Sequence, residues 1–223
     1  MTQHLHREID RLKEKILALG SKVEESLIAA VQSVIENKIE IANSVIEKDE
    51  EIDKFEIEIE EDCLKVLALH QPVAVDLRYI VAILKINNDL ERIGDLAGNI
   101  SELVIMKQTA DPSKTMFDFK TMASISQDMV RDSLEALVNL NTELAFKVCA
   151  EDDRVDEMYY KYRNEISDEI LKHPERAKYL IANLTVYRML ERVADHATNI
   201  AEDVIYMING DIVRHRIKDY TAK

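Results

Sequence analysis

An internal repeat constrains this chain more than any other feature of its sequence. The stretch ERIGDLAGNI, residues 91–100, returns as ERVADHATNI, residues 191–200, at a spacing of 191 − 91 = 100. Seven of the ten positions are identical or nearly so. Repetition at a fixed spacing indicates that one structural unit is built twice. We therefore expect a fold made of two equivalent halves.

The composition predicts that the repeated unit is helical. The 223 residues include only four glycines and three prolines, while 47% are hydrophobic and 32% are charged. Few turn-forming residues combined with many helix formers are typical of a few long helices. Apolar residues also keep helical spacing, as in Leu5, Ile9, Leu12 and Ile16. The expected fold class is all-α, with two tandem, pseudo-symmetric three-helix bundles.

Turn-forming residues divide the chain into six predicted helices. Asn37-Lys38 and Asn139–Thr142 predict turns, and Pro72 and Pro174 each end a helix. The first helix runs from the start of the chain to about residue 37, with Gly20-Ser21 as the candidate position for a bend. The other predicted helices span about 39–69, 75–107, 116–139, 142–172 and 174–208.

Alignment of the two halves supports this division. The second and fifth helices align at an offset of 103 residues, whereas the third and sixth align at an offset of 100. The three-residue difference must fall in the connecting loop, where length changes are tolerated. We predict a first repeat at 1–107, a linker at 108–115, a second repeat at 116–210 and a polar tail at 211–223.

Charge and cysteine content narrow the classes of function. A net charge of −14 speaks against binding of nucleic acid or an anionic membrane through bulk electrostatics. The charged N-terminus does not resemble a signal peptide, and no apolar run is long enough to span a membrane. Cys63 and Cys149 are far apart within helical patterns, which favours reduced, buried thiols. These features predict a cytoplasmic protein.

Oxygen-bearing side chains recur in both halves at helical spacing. Glu91, Asp95 and Asn99 fall on one side of the third helix, and the sixth helix repeats them as Glu191, Asp195 and Asn199. The second and fifth helices each carry two aspartates four residues apart. These are Asp49 and Asp53 in the first half, and Asp152 and Asp156 in the second.

Clustered carboxylates repel one another unless a cation lies among them. Oxygen ligands from two neighbouring helices suit Mg²⁺, Mn²⁺, Ca²⁺ or iron. The alternative is that these rows are ordinary solvated helix faces. Glu102 and Glu202 lie one turn further along and could assist. His196 follows Asp195 but projects about 100° away, so we do not count it as a ligand.

Two smaller features of the repeat have two interpretations each. Arg92 and Arg192 either form salt bridges to an acidic neighbouring helix, which we favour, or hold an anion bound to a metal. Gly94 and Gly98 become Ala194 and Thr198 in the second half. Small size for a close helix approach therefore explains these glycines better than a direct functional role.

The chain resembles the PhoU family of phosphate-specific transport system accessory proteins along essentially its whole length. The resemblance is carried by LHREIDRLKEKILALGSKVEES, ANSVIEKDEEID, LERIGDLAGNI, VCAEDDRVDE and LERVADHATNI. It implies two three-helix bundles with multinuclear metal clusters on their surface, iron first, with manganese, magnesium, zinc and calcium as alternatives. The ligands implied are Asp49, Asp53, Glu91, Asp95, Asn99, Asp152, Asp156, Glu191, Asp195 and Asn199.

The resemblance also implies a regulatory role. Members of the family are cytoplasmic, often homodimeric, and negatively regulate the phosphate-starvation response. They are thought to connect the ATPase component of a phosphate ABC transporter to a sensor histidine kinase of the PhoR type. The chain is accordingly expected to be a metal-binding adaptor in phosphate homeostasis and not an enzyme.

Two enzymatic alternatives follow from the same carboxylates. A di-iron protein of the ferritin-like kind needs Glu-x-x-His motifs that project into a four-helix core. No glutamate in the sequence is followed by histidine three residues later, so this alternative is rejected. Metal-assisted hydrolysis of phosphate esters needs only clustered cations in principle. It stays a minor alternative because the sequence indicates no separate nucleophile or general base.

Overall fold

Long helices account for nearly all of residues 2–106 and 119–210, the part of the chain that the computed structural model describes. They are α1 (Thr2–Glu36), α2 (Ile39–His70), α3 (Ala74–Met106), α4 (Phe119–Asn139), α5 (Thr142–Lys172) and α6 (Ala177–Asn209). These described residues contain no strand. The predicted all-α class is confirmed.

The helices pack as two three-helix bundles in tandem. Helices α1, α2 and α3 contact one another in the first repeat, and α4, α5 and α6 do so in the second. The repeats are joined by contacts of α3 with α6 and of α1 with α4. The prediction of two pseudo-symmetric bundles is confirmed.

The repeated signature lies on α3 and α6, which contact both their own bundles and each other. Ile86, Leu90 and Ile100 of α3 are fully buried, as are their counterparts Val186, Leu190 and Ile200 of α6. Burial of such apolar stripes is the main stabilising contribution to the fold. Each signature is therefore held on a rigid, centrally packed helix.

Gly20, the candidate position for a bend, serves packing between the repeats. Helix α1 continues through it without interruption from Thr2 to Glu36. A methyl group at Gly20 would lie 2.8 Å from Cδ2 of Leu134 in α4. The glycine thus allows α1 and α4 to approach closely.

The first turn of each repeat has the same backbone conformation. Asn37 and Leu140, which are 103 residues apart, both have left-handed φ angles, 51° and 50° respectively. The following residues, Lys38 and Asn141, precede the first residues of α2 and α5. The predicted turns are confirmed, and the offset of 103 extends to their geometry.

The connections between the last two helices differ in form between the repeats. Helix α2 ends at His70 and α3 begins at Ala74, so residues 71–73 form the first connection. In the second repeat Pro174–Arg176 form a single 3₁₀ turn before α6 begins at Ala177. The predicted start of the sixth helix at Pro174 is therefore three residues too early.

Two predicted segments lie outside the described residues: the linker at 108–115 and the polar tail at 211–223. The division of the chain at those points stays a prediction. Gly210 follows the last helix in a left-handed conformation, with φ of 79°, and its amide donates to the carbonyl of Tyr206. None of the described helices combines the length and apolar character that crossing a bilayer requires.

Candidate metal site

The first-repeat site comprises Asp49, Asp53, Glu91, Asp95 and Asn99, and it lies where α2 packs against α3. Gly94 and Gly98 of α3 form the contact surface. A methyl group at Gly98 would lie 3.4 Å from Oδ2 of Asp49. Small residues on α3 thus bring the α2 backbone near, as the sequence predicted, and place the Asp49 carboxylate directly against α3.

Three carboxylates of this site converge. Asp49, Asp53 and Asp95 each offer an oxygen atom, and these oxygens all lie within 4.8 Å of one another. Asp49 and Asp95 are half-buried, while Asp53 is exposed. The three side chains line the groove between α2 and α3, outside the apolar core.

Burial and nearby charges change the pKa of Asp49 within this group. Burial raises the pKa of Asp49, and the neighbouring charges of Asp53 and Asp95 raise it further. Glu102, one turn beyond the repeated signature, also raises the pKa of Asp49. A bound cation would reverse this effect because it favours the ionised carboxylates.

Glu91 and Arg92 complete the charged surroundings of the first-repeat site. Burial raises the pKa of Glu91, and the charge of Asp95 adds to this. Nη1 of Arg92 lies 3.0 Å from Oδ2 of Asp95, and its Nε lies 3.3 Å from Oε2 of Glu91. Arg92 therefore forms salt bridges, as predicted. The predicted partner, a neighbouring helix, is wrong, because both acids belong to its own helix α3.

Asn99, the remaining residue of the first-repeat site, is exposed. Its place four residues after Asp95 puts it on the same side of α3. Its role as a ligand stays a prediction.

The second-repeat site comprises Asp152, Asp156, Glu191, Asp195 and Asn199, where α5 packs against α6. Burial and the charge of Asp195 raise the pKa of Asp152 to about 6. Burial and the charge of Glu191 raise the pKa of Asp195 to about 6 as well, although Asp195 is more exposed to solvent. The two aspartates therefore lie near one another across the groove.

The other acids of the second-repeat site belong to the same electrostatic group. Burial raises the pKa of Asp156, assisted by the charge of Asp153. Burial also raises the pKa of Glu191, with Asp156 as the next cause. The carboxylates of α5 and α6 thus influence the pKa values of one another in the second repeat.

The second-repeat site is looser than the first. Among the described residues, the trio Asp49, Asp53 and Asp95 is the one group of acids whose oxygens approach within 4.8 Å. Thr198 replaces Gly98, and its buried hydroxyl lowers the pKa of Asp152 without reaching a partner at hydrogen-bond geometry. The carboxylates of the second-repeat site therefore converge less closely than those of the first.

Asn199 is engaged with a residue that the sequence analysis missed. Its Nδ2 donates to Oδ1 of Asp89, at 3.2 Å, and Nδ1 of His196 lies 2.8 Å from the same oxygen. His196, which is not among the predicted ligands, thus faces α3. Asp89 went undetected because its counterpart in the second half is Met189, so the repeat gave no signal at this position.

The donor atoms of the first-repeat site fit a hard or borderline cation. All are oxygens, and three of them can reach one ion from two helices. Oε2 of Glu91 is buried and accepts no hydrogen bond, although Nε of Arg92 lies 3.3 Å from it in an ion pair. Metal binding by the ten predicted residues stays a prediction, which these distances favour most strongly for Asp49, Asp53 and Asp95.

Comparison with known proteins matches both repeats of the chain. The family model described as "PhoU domain" matches residues 16–104 and again residues 119–204. A Pseudomonas putida protein named as a phosphate-specific transport system accessory protein PhoU homolog is 34% identical over 225 aligned residues. That alignment covers 100% of this chain and 88% of the relative.

Two crystal structures share the fold. The structure of PhoU from Pseudomonas aeruginosa superposes with a TM-score of 0.90 at 33% identity, and the match covers 92% of this chain and 99% of that one. The phosphate transport system regulatory protein PhoU from Streptococcus pneumoniae gives a TM-score of 0.86 at 28% identity. The match covers 94% of this chain and 99% of that chain.

Proposed function

Because the chain belongs to the PhoU family, we propose that it is an accessory protein that regulates a phosphate transport system. The names of its relatives, "accessory" and "regulatory", support a role without catalysis. We propose further that it is a cytoplasmic homodimer and a negative regulator of the phosphate-starvation response. Its partners would be the ATPase component of a phosphate ABC transporter and a sensor histidine kinase.

The convergence of Asp49, Asp53 and Asp95 is the observation that supports a metal-binding adaptor. Asp49 and Asp53 belong to α2, whereas Asp95 belongs to α3. A cation in this groove would neutralise the clustered carboxylates and link the two helices. Iron is the first candidate, with manganese, magnesium, zinc and calcium as alternatives.

Metal binding in this groove would affect regulation through the positions of α2 and α3. The two aspartates of α2 hold one side of the groove, and Asp95 and Glu91 hold the other. Ligation across the groove fixes the spacing of α2 and α3, and this fixes the outer surface that a partner protein meets. Occupancy of the site would therefore change the partner surface without any reaction of a substrate.

The metal part of the proposal is tested by Asp95→Asn together with Asp195→Asn. The full-length variant should lose most of the metal found by elemental analysis, while its helix content measured by circular dichroism stays unchanged. An anomalous diffraction map of the unsubstituted protein should place the ions in both helix grooves. Unchanged metal content in the variant would contradict the ligand assignment.

The regulatory part needs a test in cells. A bacterium that carries this chain in place of its own PhoU protein should keep a phosphate-starvation reporter silent in high phosphate. The doubly substituted variant should raise reporter expression under the same conditions. If the variant still represses fully while lacking metal, the adaptor role would stand and its dependence on metal would fail.

A further inference from the structure

The contact between the repeats contains a buried polar group that the proposed function does not explain. Asp89 of α3 is only 9% exposed, and it belongs to the first repeat. Its Oδ1 accepts a hydrogen bond from Nδ2 of Asn199 and pairs with Nδ1 of His196, both on α6. One turn away, Lys85 pairs with Asp203 across the same contact.

The chemistry of Asp89 determines how the Asn199 amide is turned. An ionised carboxylate can only accept hydrogen bonds, so the group that faces it must be the amide nitrogen. Oδ1 of Asn199 is then the atom left to face a cation. Carboxylates that hold the far side of a metal ligand in this way orient it and strengthen its binding.

This arrangement is not repeated in the first half of the chain. The counterpart of Asp89 is Met189, whose thioether is at most a weak acceptor. The counterpart of Asn199 is Asn99, which is exposed. Only the second-repeat site therefore receives such support from the opposite repeat, as far as the described residues extend.

We propose that Asp89 is a positioning residue for the second-repeat site: it holds the Asn199 amide so that its oxygen completes the ligand set of Asp152, Asp156, Glu191 and Asp195. The inference rests on the proposed metal-binding function. It makes the two sites unequal. The first site is preassembled by close helix packing, whereas the second depends on Asp89, a side chain of the first repeat.

The test uses full-length protein in which Asp49→Asn and Asp95→Asn silence the first-repeat site. Binding of Mn²⁺ to the remaining site is measured by electron paramagnetic resonance. In this background Asp89→Leu should weaken Mn²⁺ binding by about 10-fold or more. Asp89→Asn, which keeps an acceptor but removes the charge, should change it by less than about 3-fold. Adding Asn199→Ala to Asp89→Leu should cause no further loss.

Two controls separate positioning from general stability. His196→Leu removes the other partner of Asp89 and should leave Mn²⁺ affinity within about 2-fold of the background. Met189→Leu, at the equivalent position of the other helix, should leave it unchanged. Equal losses in Asp89→Asn and Asp89→Leu would overturn the role, because they would show an effect of charge alone. Absence of Mn²⁺ binding in the background itself would instead overturn the second-repeat site, and this role with it.

Discussion

The guanidinium of Arg92 lies against two carboxylates that we propose as metal ligands. It contacts Asp95 and Glu91, so it supplies positive charge to the first-repeat site. A cation that binds Asp95 must compete with this group or displace it. Arg92 is exposed, so its removal should not disturb the core.

Arg92→Gln should therefore raise the affinity of the first-repeat site for Mn²⁺ by roughly threefold to tenfold, because a competing charge is lost. The measurement is a titration with the second-repeat site silenced by Asp152→Asn and Asp195→Asn. Arg131→Gln, on α4, serves as the control for loss of a surface charge. If Arg92 instead holds an anion on the metal, the variant would bind Mn²⁺ no more tightly and would lose phosphate from the loaded protein.

Protonation of the second-repeat site should make the metal-free protein more stable in mild acid. Burial and neighbouring carboxylates raise the pKa values of Asp152 and Asp195 to about 6 in the folded protein, from 3.8 for an ordinary aspartate. Between these values the folded state binds more protons than the unfolded state, so the free energy of unfolding falls as pH rises. The stabilisation from these two protonated carboxyl groups is therefore absent above about pH 7.

Chemical denaturation of metal-free protein should thus show a gain on the order of 1 kcal/mol between pH 7.5 and pH 5, after allowance for solvent screening. Asp152→Asn with Asp195→Asn should abolish most of the gain. Mn²⁺ binding should show the opposite trend and weaken below about pH 6, because protons then compete for the same oxygens. Stability that falls steadily from pH 7.5 to pH 5 would contradict the pKa shifts.

At the scale of helices, the contact between α2 and α3 and the equivalent contact between α5 and α6 are packed with different residues. A methyl group at Gly94 would lie 3.2 Å from Cγ2 of Ile52, which is a tight contact. The second repeat has Ala194 in place of Gly94, and Val155 in place of Ile52. The extra methyl on α6 is thus matched by a smaller side chain on α5.

Gly94→Ala should therefore destabilise the protein by about 1 kcal/mol, because overpacking outweighs the gain in helix propensity. Ile52→Val alone should cost about 1 kcal/mol through a small cavity. The double variant should be more stable than the sum of the two effects by about 1 kcal/mol. Thermal unfolding of the four proteins measures this coupling, and strictly additive effects would contradict the packing argument.

The starts of α2 and α5 form a second matched pair. The side chain of Asn141 accepts a hydrogen bond from the amide of Leu144, at 3.1 Å, and so caps α5. Lys38 holds the equivalent position before α2 and provides no such bond. Unsatisfied amide groups at a helix start favour Ser, Thr, Asp or Asn at the capping position.

Asn141→Ala should cost about 1 kcal/mol of stability, whereas Lys38→Asn should add about 0.5–1 kcal/mol. The salt bridge of Lys38 with Glu36 is lost in the second variant, but an exposed pair contributes little. Denaturant midpoints with unchanged slopes would give both values. Destabilisation by Lys38→Asn would indicate that the ion pair, and not the cap, holds this turn.

At the scale of the whole molecule, repetition explains what the sequence could and could not predict. Asn37, Pro72 and Pro174 interrupt long amphipathic patterns, so the sequence predicted the helix boundaries next to them to within about three residues. Among the many acids of α2, Asp49 and Asp53 have aspartate counterparts in α5, and their side chains do converge with Asp95. These features depend on local spacing, which the sequence contains directly.

Contacts that differ between the repeats were not predictable in the same way. Asp89 has no acidic counterpart, and its partners lie more than 100 residues away on α6. The direction of the Arg92 side chain depends on rotamer choice among several nearby acids, which helical spacing does not determine. Asymmetry between equivalent positions, and not only their identity, is thus a signal to examine in repeated folds.

The net charge of −14 leads to a prediction for the molecule as a whole. Without metal, like charges gather in two helix grooves, and self-repulsion disfavours the compact state. Salt screens such repulsion, with a Debye length of about 10 Å at 0.1 M. Metal-free protein at pH 7.5 should therefore unfold at higher temperature as NaCl rises from about 0.02 M to 0.5 M.

The unfolding temperature of protein loaded with Mn²⁺ should rise less with salt, because bound cations have already neutralised both grooves. The variant with Asp49→Asn and Asp152→Asn is the matched control, and its gain without metal should also be smaller. Equal gains in all three proteins would place the repulsion elsewhere on the surface and remove the electrostatic argument for cations in these grooves.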